Sequence, residues 1–128
     1  MEIWKPINIS EFEGKYLASN MGRIKAIFPI KNSIAPIRIL EQNKNNIGYL
    51  RCNLINKRGI RKSQYVHVLI ANAFLGPRNS KEVNHLDLDK TNNKLSNLEY
   101  TTHRKNIKHA ISQKGYWGFI KKYPAETG

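Results

Sequence analysis

Asn84, His85, Asn97 and Asn106 fall within one short stretch, residues 82–112, and they are the side chains most suited to chemistry. An imidazole with an ordinary pKa of about 6.5 can take a proton from water at neutral pH. An asparagine supplies a carbonyl oxygen without a charge, and oxygen ligands suit Mg²⁺ or Mn²⁺. His103 is three residues before Asn106, so the two share one face of a helix. The same asparagines could instead cap loops, a role to which the residue is well suited.

The elements that would position these residues are legible from pattern. Residues 82–112 predict a strand, a loop, a strand and a helix. The first strand is expected to end at Asn84-His85, so that both side chains reach one site despite strand alternation. A loop rich in Asp and Asn follows, shaped by Asp87, Asn92 and Asn93. Leu98–Thr101 is the second strand, with Asn97 just before it. Thr102 is placed to cap a helix from about His103 to Ile111. Asp87 and Asp89 suggest a calcium loop, but the sixth position is Asn92 rather than Gly and the twelfth is Leu98 rather than Glu, so that pattern fails.

Upstream, Tyr16–Ser19 and Arg23–Phe28 read as strands joined by Asn20-Met21-Gly22, a sequence suited to a tight turn. Pro29 and Pro36 bracket an irregular stretch, and residues 42–48 read as a polar loop. Tyr49–Ile55 and Ile60–Tyr65 form a second hairpin around Asn56–Gly59. Val66, Leu69, Ile70, Ala73 and Phe74 follow helical spacing, ended by Gly76-Pro77. His67, in the first turn of that helix, reads as a packed or capping residue. The fold class is α+β: small antiparallel hairpins with a short helix, then the strand–loop–strand–helix unit.

Charge narrows the partner. The 128 residues carry 22 Lys and Arg against nine Asp and Glu, a net +13. Residues 42–81 hold eight basic groups and no acid, whereas residues 82–99 have a net charge of −2. Two basic segments therefore flank an acidic island. The first kind of segment suits a phosphate backbone and the second suits a divalent cation. The ribbon of residues 49–65, with Arg51, Lys57, Arg58, Arg61 and Lys62, has the width of the DNA major groove. It could equally be a solvated edge hairpin whose charges discourage aggregation.

One cysteine, Cys52, excludes an internal disulfide and a cysteine-based zinc finger. The N-terminal residues lack the apolar core of a signal peptide, and no apolar run is long enough to span a bilayer. The expectation is a cytoplasmic protein of a bacterium or phage-infected cell, with no membrane partner.

The run VHVLIANAFLGP…VNHLDLDKTNN…NLEYTT…N…HA resembles the ββα-metal motif of HNH endonucleases, in the subgroup found in homing endonucleases of phages and introns. The N-terminal WKPI…FEGKYLASNMGRIKA resembles the NUMOD4-like module that often precedes it. The resemblance implies a DNA-contact module at 1–45, an HNH nuclease domain at 46–112 with its ββα-metal motif at 82–112, and a basic aromatic tail at 113–128. It implies His85 as general base, Asn84 and Asn106 as metal ligands, and Asn97 as the residue that holds the loop and so directs His85. It implies one Mg²⁺ or Mn²⁺ per site; histidine-ligated zinc is the weaker reading, since the usual thiolates are missing. With two neutral amides as the only protein ligands, metal affinity is expected to be low, on the order of micromolar to millimolar, until DNA joins the site.

The expected partner is double-stranded DNA, contacted by Arg23, Lys25, Arg51, Lys57, Arg58, Arg61, Lys62, Arg104, Lys105 and Lys108. A monomer would nick one strand and a homodimer would break both. The tail aromatics Tyr116, Trp117 and Phe119 would pack on the core or stack on bases. The alternative is a non-catalytic DNA- or RNA-binding protein derived from such a nuclease.

Overall fold

The computed structural model describes residues 1–28 and 37–105. Pro29, Pro36, Asn106, Lys108, His109, the helix expected beyond Lys105 and the tail aromatics lie outside the described residues. Within them the chain is α+β: three small antiparallel sheets are packed around one helix.

The first sheet has the order β1 (Trp4–Pro6), β2 (Tyr16–Ser19), β3 (Ile24–Ala26) and β4 (Arg38–Ile39). Its central hairpin pairs Tyr16 with Ala26 and Ala18 with Ile24. Residues opposite one another share a face, and all four of these are buried. Gly22 closes the turn at φ +95°, a left-handed conformation that glycine adopts without a Cβ clash.

The second sheet comprises β5 (Asn43–Lys44), β6 (Leu50–Ile55) and β7 (Arg61–Tyr65). The stretch 42–48 is thus more than the polar loop its composition suggests. Asn43 and Lys44 pair with Arg51 and Leu50. The Asn45 Oδ1 accepts from the Ile47 and Tyr49 amides at 3.1 and 2.9 Å and so closes the turn between the strands. Along β6, exposed Arg51 and Asn53 alternate with buried Cys52 and Leu54.

Helix α1 (Val66–Leu75) follows β7 with no intervening loop. Its buried residues Val66, Leu69 and Ile70 belong to the same core as the inward residues of β2, β3 and β6. Each such side chain contributes about 1.5–3 kcal/mol when fully buried. The helix touches β1, β2, β6, β7, β8 and β9, and so acts as the central support.

The third sheet is the pair β8 (Glu82–His85) and β9 (Leu98–Thr101). Its register sets Asn84 opposite Glu99 and His85 opposite Leu98. The first strand ends at His85, as its residues suggest, but Asn84 and His85 are both paired within it, so neither is freed from strand alternation. The Leu86 amide prolongs the ladder to the Asn97 carbonyl at 2.8 Å. No helix among the described residues is long and apolar enough to cross a membrane.

Candidate active site

β8, β9 and the loop between them build the site. Asn84 and His85 are both buried, at 1% and 2% exposure. The Asn84 amide is oriented from across the sheet, its Nδ2 donating to Oε1 of Glu99 at 3.1 Å. Its Oδ1 is buried and, among the described residues, has no hydrogen-bond partner. Leaving a buried acceptor unpaired costs about 1–3 kcal/mol, so such an atom calls for an explanation. A hard cation fits such a carbonyl oxygen. The Asn84 oxygen thus suits a divalent ion, with Glu99 holding the amide by its other end.

His85 has different neighbours. Its Nε2 lies 2.7 Å from Oδ1 of Asn93 in a buried contact. Its ring stands 5.0 Å from that of His67 and 6.0 Å from that of Tyr49. Burial is the main force holding His67 neutral, with His85 and Arg78 adding to it; together they lower its pKa to about 3. A cleft of about 310 Å³ opens beside these rings, lined in part by Tyr49, Tyr65, His67 and Arg78.

The loop is a closed hydrogen-bond network. Asn97 Oδ1 accepts from the Asp87 amide at 3.0 Å, and its Nδ2 donates to Asp87 Oδ1 and to the Asn92 carbonyl, both at 2.9 Å. Asn92 Nδ2 reaches the other Asp87 oxygen at 2.8 Å. These donors hold the Asp87 carboxyl below its ordinary range, the Asn92 amide most of all. Asp89 turns back on itself, accepting from the Thr91 amide at 3.0 Å and its hydroxyl at 2.7 Å.

The basic residues separate by face. Arg51 and Arg61 point outward from the ribbon, because their strand partners are Tyr65 and Ile55 and alternation puts all four on one side. Arg58 is exposed at the ribbon's turn. Lys62 lies on the other face and bonds Glu11 at 2.8 Å, while Lys57 stands 3.7 Å from Glu13. Arg23 is paired with Glu2 and lies over the Trp4 ring, and Lys25 is 4.1 Å from the centre of the same ring. Arg104 and Lys105 are exposed in the helical turn after β9, where the Thr102 hydroxyl accepts from the Lys105 amide at 3.2 Å.

The sequence profile of the NUMOD4 motif matches residues 2–55, and that of the HNH endonucleases matches residues 64–108. The chain thus carries an HNH endonuclease motif at 64–108 and a NUMOD4 motif at 2–55. An uncharacterized HNH endonuclease of Acanthamoeba polyphaga mimivirus is 38% identical over 113 residues, covering 86% of this chain and 26% of that protein. The DNA endonuclease I-HmuI of Bacillus phage SP01 is 32% identical over 111 residues, 86% of this chain and 58% of the relative. A solved structure described as DNA binding and cleavage by the HNH homing endonuclease I-HmuI superposes with a TM-score of 0.71 at 32% identity. That match covers 88% of this chain and 60% of the other. The HNH chain thus spans between 26% and 60% of the length of these relatives.

Three residues of the HNH site stand out only in the structure. Glu99 is opposite Asn84 by sheet register, Asn93 meets His85 by loop closure, and His67 lies against His85 because α1 packs beneath β8. The i, i+3, i+4 pattern marks His67 as a helix residue but says nothing of its neighbour. A cross-strand count from the loop would have put Glu99 opposite Asn84, the one signal available beforehand.

Proposed function

We propose that this HNH chain is a metal-dependent DNA endonuclease of the homing type, hydrolysing one phosphodiester per site. His85 is the general base, taking the proton of the attacking water. Asn84 and Asn106 would hold one Mg²⁺ or Mn²⁺, with Glu99 fixing the Asn84 amide. When bound, the ion stabilises the charge that builds on the phosphate and on the leaving 3′ oxygen. Asn97 fixes the loop through Asp87 and the Leu86 amide. In-line displacement sets the water and the leaving oxygen on opposite sides of phosphorus. Successive residues of a strand leave it in opposite directions, which supports giving those two tasks to His85 and Asn84.

The observation that carries this reading is the unpartnered, buried Asn84 oxygen next in sequence to a buried histidine. Residues 1–45 and the ribbon of 49–65 act as DNA-contact elements, and residues 46–112 as the nuclease domain. Double-stranded DNA is the substrate, and the setting is the cytoplasm of a bacterial or phage-infected cell. A monomer nicks; a homodimer breaks both strands. Purified protein should nick plasmid DNA with Mg²⁺ or Mn²⁺. His85→Ala should abolish nicking and leave DNA affinity near that of wild type. If His85→Ala cuts as well as wild type, the assignment of the base is wrong. If wild type binds DNA and never nicks with either ion, the chain is a binding protein.

A further inference from the structure

A neutral imidazole has one protonated and one bare nitrogen, and only the bare one can act as a base. What decides between them is the group that each nitrogen faces. His85 Nε2 faces Oδ1 of Asn93 at 2.7 Å, with both side chains buried. An amide oxygen accepts and cannot donate, so this contact puts the proton on Nε2 and the lone pair on Nδ1.

Asn93 is itself backed by the N-terminal sheet. A Cβ on Gly22 would lie 3.3 Å from the Asn93 carbonyl carbon, tighter than nine in ten real contacts of that kind. The Leu95 amide donates to the Asn20 carbonyl at 2.9 Å. The turn that supplies these contacts is fixed in its turn by Ser19, a fully buried residue whose hydroxyl accepts from the Met21 and Arg23 amides at 3.1 and 3.0 Å.

We propose that Asn93 is a positioning residue that fixes the tautomer of His85, and that the β2–β3 turn, Asn20–Gly22, holds Asn93 in place to do so. The catalytic part of this inference rests on the endonuclease reading. The geometry also defines its opposite. Among the described residues Asn93 Nδ2 is buried without a partner. Turning the amide over would aim that N–H at His85 and move the bare nitrogen to Nε2, where Asn93 itself would block it.

The test is a long-range ¹H–¹⁵N correlation spectrum of the full chain at mildly alkaline pH, run beside plasmid nicking with Mg²⁺. Wild-type His85 should show a protonated Nε2 and a bare Nδ1. Asn93→Leu should leave a mixture of tautomers and lower kcat about 100-fold with KM for DNA unchanged, the loss expected when a general base is disabled. Asn93→Asp retains an acceptor and should keep both the tautomer and most of the activity, which a merely space-filling role would not require. Gly22→Ala should shift the His85 ring resonances.

A wild-type His85 protonated on Nδ1 overturns the inference, as does an Asn93→Leu protein that nicks at the wild-type rate. Unmoved His85 resonances in Gly22→Ala overturn the role of the turn. A wild type that binds DNA without nicking overturns the endonuclease reading instead, and the tautomer spectrum still decides whether Asn93 sets the ring.

Discussion

At Asn84 a single amide has its two ends in different circumstances. The nitrogen is tied to Glu99, and the oxygen is buried with no partner among the described residues. Counting ligands by sequence gives two neutral amides, Asn84 and Asn106; the sheet register adds a carboxylate one bond away. Outer groups that orient a ligand are commonly worth about 10–100-fold in metal affinity. Glu99→Gln preserves the size of the side chain, removes the charge and lets the Asn84 amide turn over. The Mg²⁺ concentration giving half-maximal nicking should then rise by about that factor, with DNA affinity in the absence of metal unchanged or slightly higher. A metal titration of both proteins on one plasmid checks this. An unchanged titration would place Glu99 outside the metal's surroundings.

Among the elements, the ribbon β6–β7 decides which charges are available to a polyanion. Its sequence offers an undivided basic run, yet alternation splits that run into an outward pair, Arg51 and Arg61, and an inward Lys62 tied to Glu11. Exposed ion pairs of this kind contribute about 0–1 kcal/mol, so the distinction is one of direction more than of strength. Arg61→Ala should lower DNA affinity and flatten its salt dependence by about 0.9 in the logarithmic slope for each phosphate that is no longer neutralised. Lys62→Ala should change that slope much less. Binding isotherms at several salt concentrations separate the two.

The same elements mark how far pattern reading reaches. The hairpin of β2 and β3, the ribbon and α1 all announce themselves by period, by Asn-x-Gly turn chemistry or by Gly76-Pro77. The two-residue strands β4 and β5 have no period to detect and exist because a longer neighbour offers an open edge. The chemistry-bearing residues were visible as residue types. Their partners Glu99, Asn93 and His67 were not, because each contact depends on register, loop closure or helix packing rather than on spacing along the chain.

For the molecule as a whole, the buried imidazole of His67 links packing to pH. The fold holds it neutral, chiefly by burial, with its pKa down at about 3. The unfolded chain has the ordinary value of about 6.5. Between those two values the unfolded state binds the extra proton, so stability falls as pH falls through that window, by up to about 1.4 kcal/mol per pH unit. Above it, the group has no effect. Carboxylates such as Glu2, held at about 2 by its bond to Arg23, lose their contribution only at lower pH. Urea denaturation of wild type and His67→Phe should therefore show wild type losing more stability between pH 7 and 5, with the difference vanishing above pH 7. Parallel curves would mean that the ring stays hydrated.

Cys52 sits on the inward side of β6, 2% exposed, and burial pushes its thiol up to about 12. Reactivity belongs to the thiolate, so alkylating reagents have almost nothing to attack while the core is shut. As the sole sulfhydryl in the chain, it makes the protein its own clock for opening. A maleimide added to the native protein reports how often the ribbon lifts from the helix beneath it, and adding nucleic acid shows whether occupancy of the outer face slows that lifting.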